Sequence, residues 1–129
     1  MTVTYVLEGA GITDLDRFWQ VVGEAVNGPG GYFGRGLDSF ADCLGGGMGT
    51  PPDGDFTIEW RDHGRSVRAL GHAETARYLR RLLEGAHPTN RTALQGELLD
   101  ALAGRGPTLF DRLVEIVRTR TAPGTLRLN

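Results

Sequence analysis

The chain has 129 residues, enough for one domain with a hydrophobic core of its own. Hydrophobic residues make up 40% and charged residues 23%, and no apolar run is long enough to cross a bilayer, which argues against a membrane-spanning protein. The formal net charge of −2 hides an asymmetry: residues 1–62 hold ten acids against three arginines, and residues 63–129 hold eleven arginines against six acids. Such a split points either to a charged partner or to two halves that pair with each other. The single Cys43 excludes an internal disulfide, and the start MTVTYV lacks the basic and apolar regions of a secretory signal, so a cytoplasmic protein is expected.

In chain order, Thr2–Leu7 (TVTYVL) is β-branched and aromatic and reads as a first strand, broken by Glu8-Gly-Ala-Gly. Thr13 is placed as an N-cap, with Asp14 and Asp16 in the first turn. Leu15, Phe18, Trp19, Val22 and Val26 then recur at helical spacing to about Val26. After the loop Asn27-Gly-Pro-Gly-Gly, the residues Leu37, Phe40, Ala41 and Leu44 form the stripe of a short helix stopped by Gly45-Gly-Gly. Asp55–Trp60 (DFTIEW) reads as a second strand, with Asp62-His63 in a surface turn after it. His72–Glu84 and Thr89–Ala103 read as helices, with Ala76, Leu79, Leu82 and Leu83 on the inner face of one and Ala93, Leu94, Leu98 and Leu102 on the other. Pro107 is placed at the start of a last helix carried by Leu109, Phe110, Leu113, Val114 and Val117, and Thr125–Asn129 is a final strand. Strands alternating with helices predict an α/β domain with a small parallel sheet covered by helices.

The glycine-rich stretch 30–47 does not read as a phosphate cradle. A P-loop needs a lysine after its glycines, and the chain has no lysine. A dinucleotide fingerprint belongs between the first strand and its helix, where only Gly9-Ala-Gly11 stands. His63, His72 and His87 lack the spacing of a zinc site, so neither metal nor cofactor is expected. Cys43 lies beside Leu44 on an apolar face and is expected to pack as a small hydrophobe. No catalytic constellation assembles, and the chain is not read as an enzyme. What remains is the pair Asp38 and Asp42, four apart on one helix, where like charges cost roughly 0.2–0.5 kcal/mol. Tyr32 and Phe33 lie just upstream, and Gly45-Gly-Gly just downstream permits close approach. Aromatics beside an acidic patch suit a protein surface for a cationic partner, and a solvated helix face would account for the same acids.

These residues carry a resemblance. YFGRGLDSFADCLGG, followed by a Pro-rich turn and FTIEW, resembles the barstar family, intracellular inhibitors of microbial ribonucleases. The family pattern is matched by Tyr32, Phe33, Gly34, Leu37, Asp38, Asp42, Cys43, Leu44, Gly46 and Trp60, over residues 1–62 and more loosely from about Leu109. The resemblance implies a three-stranded parallel sheet flanked by helices in a single domain 1–129, with residues 64–106 as a helical insertion before the last helix. It also implies an inhibitor that blocks the cationic active site of a secreted ribonuclease and protects the producing cell. In that role Asp42 is the central anion, Asp38 a supporting acid, and Tyr32 the aromatic covering the catalytic histidine. Phe33, Gly34, Gly36, Ala41, Gly45, Gly46 and Glu115 complete the implied binding set.

The chain departs from the pattern in places. Well-known members carry Trp where this chain has Ala41, and Asn where it has Gly36. Thr119 falls near the place of an acid from the family's last helix, with Glu115 one turn earlier. Two other readings stand beside inhibition: a barstar-like module with a changed partner, contacted through 64–106, and RNA binding by the arginine-rich second half, although nucleic acid is not the expected direct partner.

Overall fold

The computed structural model describes residues 2–129. Three strands, β1 (Val3–Glu8), β2 (Phe56–Arg61) and β3 (Leu126–Leu128), form one sheet in the order β1-β2-β3. Both pairings are parallel: Val3 stands opposite Phe56 and Glu8 opposite Arg61, while Ile58 faces Leu126 and Trp60 faces Leu128. The helices α1 (Leu15–Asn27) and α2 (Leu37–Leu44) connect β1 to β2. From β2 the chain passes through α3 (His63–Ala69), α4 (His72–Glu84), α5 (Pro88–Leu102) and α6 (Leu109–Arg120) to reach β3. The expected parallel α/β architecture is what the chain adopts.

Alternation along the strands decides which face is covered. Tyr5, Leu7, Phe56, Ile58 and Trp60 point into the core, where Phe18, Trp19, Phe33, Phe40, Leu113 and Val117 meet them. The opposite face is polar: Thr4 and Thr57 share a hydroxyl bond of 3.0 Å, and Arg61 lies 3.4 Å from Glu8 and 3.3 Å from Glu59. Trp60, 0% exposed, stands at the centre of the buried face, with ring centroids 5.3 Å from Phe18 and 5.0 Å from Phe110. Its indole N–H donates to the Ser66 hydroxyl at 2.9 Å, so the one polar atom of this ring is satisfied inside the core.

Several boundaries differ from expectation for local reasons. Asp14, not Thr13, caps α1: its carboxylate accepts the Arg17 N–H at 2.8 Å and carries a charge that suits the helix N-terminus. Thr108, not Pro107, begins the cap of α6, in a reciprocal pair in which Asp111 N–H donates to the Thr108 hydroxyl and Thr108 N–H to the Asp111 carboxylate. Residues 63–69, read as no more than a turn at their start, form α3, which follows an Asp62 held in the left-handed conformation.

The stretch 64–106 is not of one kind. Ser66 and Leu70 are fully buried in the body of the domain. Beyond them α4 and α5 form a hairpin around a small second cluster of Ala76, Leu79 and Ala101, with Leu94 and Leu98 against it. Leu82, Ala93 and Leu102, expected on the inner faces, are exposed, because the buried stripe of α4 runs through 75, 76 and 79 and the inner stripe of α5 through 94, 98 and 101. The first turn of α4 is bonded to two other helices. The Glu74 carboxylate accepts the Leu15 N–H of α1 at 2.8 Å, and the Thr75 hydroxyl accepts the Leu109 N–H of α6 at 2.9 Å. Two side chains of α4 thus accept from free N–H donors at the N-termini of α1 and α6.

Candidate functional site

The site is built on α2 and the glycine loops at its two ends. One side of α2 is anchored by Phe40, Ala41, Cys43 and Leu44, all buried. Phe40 holds the centre, with ring centroids 5.5 Å from Phe18, 5.6 Å from Trp19 and 6.0 Å from Phe33. That anchoring leaves Asp38 and Asp42 together on the solvent side, both exposed. Among the described residues neither has a cation within ion-pair distance. The pair is therefore a rigidly mounted, uncompensated negative surface.

The loops are fastened by side chains that the sequence reading passed over. The Asn27 amide donates to Tyr32 O at 2.7 Å and to Met48 O at 2.8 Å, tying the loop before α2 to the loop after it. A side chain at Gly49, which sits at φ +121°, would strike that amide. The Ser39 hydroxyl accepts the N–H groups of Arg35 and Gly36, each at 3.0 Å, which fixes the entry into α2. Gly34 has φ +92°, and a Cβ there would come within 2.7 Å of the Phe40 backbone, so the chain can lie this close to α2 only with glycine. An asparagine before a glycine reads locally as a turn residue, so nothing in the sequence marked Asn27 as a clamp between loops.

The implied binding residues fall into three groups. Tyr32 (40% exposed), Asp38, Asp42, Gly45 and Gly46 are on the surface, and Gly36 is half-buried at the head of α2. Phe33 (1% exposed) and Gly34 are inside: Phe33 packs on Phe40 beneath the surface and is not available to a partner. Ala41 is also buried and offers little contact area. Glu115 stands elsewhere, on a groove of about 340 Å³ between α6 and β3 with Phe110, Val114, Arg118 and Leu128. No residue of α2 or its loops lines that groove. Beside Tyr32 lies a larger cleft of about 450 Å³, walled by Asp16, Trp19 and Glu24 of α1 and by Arg35.

Cys43 is 3% exposed, and burial, with the nearby Asp42 charge second, raises its thiol above the ordinary 9.0, so it is held protonated and inert at neutral pH. Tyr78 of α4 is half-buried where the hairpin meets the body. Burial raises its phenol above the usual value; Arg112 opposes the rise, and the charges of Asp38 and Glu97 add to it. The three histidines are engaged separately: His63 with Asn129 O at 2.8 Å, His72 with Gly106 O at 3.0 Å and His87 with the Thr89 hydroxyl at 2.8 Å.

No helix among the described residues is long and apolar enough to cross a membrane. No curated protein matches the sequence. The family model described as Barstar (barnase inhibitor) matches residues 2–94, well over half of the chain, running past β2 through α3 and α4 into α5. With its three-stranded parallel sheet and acid-bearing second helix, the chain belongs to the barstar family, whose members are inhibitors of ribonuclease rather than enzymes.

Proposed function

We propose that the protein inhibits a secreted microbial ribonuclease and protects the cytoplasm of the cell that makes it. Asp42 enters the cationic site where the enzyme holds an RNA phosphate and accepts bonds from its arginines and lysines. Asp38 adds a second carboxylate one turn away, and Tyr32 supplies a flat surface over the catalytic histidine. The observation that carries this reading is the exposed, uncompensated Asp38–Asp42 pair on a helix seated by Phe40 and Leu44. A fixed carboxylate occupies a phosphate position without offering a bond to cleave, and its unrelieved repulsion is removed on binding. The acids also speed the approach of a basic enzyme, an effect that falls with salt.

Within this reading the hairpin of α4 and α5 is carried ahead of the last helix, and Phe33, Gly34 and Ala41 shape the surface from beneath. A second reading, a module with a changed partner, is favoured by Leu99 and Leu102, which are 66% and 55% exposed on the outside of α5. For RNA binding, Arg77, Arg81 and Arg112 are engaged with Asp16, Glu74 and Glu97, which leaves Arg80 and the other arginines of the second half that are unpaired among the described residues to carry it. The test is inhibition of a panel of secreted guanyl-preferring bacterial ribonucleases by the protein and by Asp42→Ala. Salt-sensitive inhibition that collapses on the substitution supports the reading. A folded protein that inhibits none of them, yet binds another protein through α5, supports the second.

A further inference from the structure

Arg35 is the one cation between residues 18 and 60 of an otherwise acidic half. It is exposed, and among the described residues no carboxylate lies within ion-pair distance of it. It stands immediately before Gly36, the N-cap of α2, the helix end that disfavours a positive charge. Its backbone N–H is held by Ser39 at 3.0 Å, so its position is fixed while its side chain is free. Nothing within the chain accounts for a cation there.

Its surroundings suggest what does. Arg35 lines the 450 Å³ cleft beside Tyr32, opposite Asp16, Trp19 and Glu24. Asp16 is already answered from outside the cleft by Arg81 at 3.5 Å and Arg77 at 3.8 Å. The inhibitory surface therefore has two parts: the uncompensated acids of α2, and a cleft of mixed charge in which Asp16 is neutralised while Glu24 and Arg35 are both open. A uniformly cationic partner would leave Arg35 unanswered and repelled in that cleft. Resting on the ribonuclease reading above, we infer that the cleft receives a carboxylate-bearing segment of the enzyme, which pairs with Arg35 while the enzyme's cations pair with Asp38 and Asp42. Pairings of opposite sign fix the orientation of the bound enzyme and reject ribonucleases that carry a cation at that position. Arg35 is thus a specificity-determining residue.

The test uses the full chain against any panel ribonuclease that the unaltered protein inhibits, with Arg35→Glu, Glu24→Gln and Asp42→Ala in parallel. Thermal melting confirms that each variant folds, as exposed side chains allow. Arg35→Glu is expected to weaken inhibition by about tenfold or more, Glu24→Gln to leave it equal or tighter, and an Asp or Glu→Arg change on the enzyme's facing rim to rescue Arg35→Glu. If Asp42→Ala abolishes inhibition while Arg35→Glu leaves it intact or tightens it, the inference is overturned and the ribonuclease reading stands. If Glu24→Gln is the damaging change, a cation enters the cleft and the inference is likewise overturned. If no ribonuclease is inhibited, the underlying reading fails and the inference falls with it.

Discussion

The sheet-based body of the domain and the helical hairpin of α4 and α5 are both closed by apolar residues, yet they are built to different standards. The body gathers Trp60, Phe18, Phe40, Phe33 and sixteen further buried side chains from the sheet, α1, α2, α6 and the segments between them. The hairpin closes on Ala76, Leu79 and Ala101, and α5 leaves Leu99 and Leu102 in solvent. Burying few and small side chains contributes little against the entropy of ordering two helices. The hairpin is joined to the body by Tyr78, which packs against both clusters, and by polar contacts: Glu74 on α1, Thr75 on α6 and the exposed Asp16 ion pairs with Arg77 and Arg81. The lesson is functional, because α2 is mounted on the well-packed body, so the helix that carries the two acids is held by the core beneath it.

The largest expected break is in the body. Trp60→Ala removes the ring between Phe18 and Phe110 and leaves the Ser66 hydroxyl without its donor, a loss of about 3–5 kcal/mol measurable by denaturant unfolding. Next is the joint between the two regions. Thr75→Val keeps the shape but leaves the buried Leu109 N–H unpaired, which is expected to cost about 1–3 kcal/mol and to speed hydrogen exchange at the start of α6. Hydrogen exchange in the unaltered protein is expected to show α5 opening at lower free energy than α6.

The Cys43 thiol sharpens the same contrast through pH. Its folded pKa is raised above 9.0, by burial first and Asp42 second, so its contribution to stability is complete below 9.0 and is lost as pH rises through the folded value. Cys43→Ala is expected to flatten part of the fall in stability above that pH, and the native thiol to resist alkylation until the body unfolds. The smallest effect belongs to the outer face of the hairpin: Leu99→Ser or Leu102→Ser is expected to change stability by no more than about 0.5 kcal/mol, because each side chain is already in water.

The body was more legible than the hairpin for the same physical reason. Leu15, Phe18, Trp19 and Val22 recur with helical period because one face of α1 is buried, and DFTIEW alternates because one face of β2 is. Where burial is partial the pattern misleads. Leu82 and Leu102 are apolar without being inside, and α3 was missed because HGRSVRA is held by the single buried Ser66 and the following Leu70 rather than by a stripe. At the site, Asp38 and Asp42 were readable as a pair because helical spacing alone puts them on one side. That Phe33 faces the core, that Glu115 stands on the β3 side of α6 and that Asn27 clamps two loops all depend on long-range packing that no local pattern encodes.

The most direct test of the account compares the unaltered protein with Asp42→Ala, following ribonuclease inhibition and unfolding free energy on the same samples. The account predicts that inhibition is lost while stability is unchanged or rises by about 0.2–0.5 kcal/mol, because the substitution removes a repulsion with Asp38 and touches no buried contact. Inhibition that survives the substitution, or is lost only together with the fold, would contradict it.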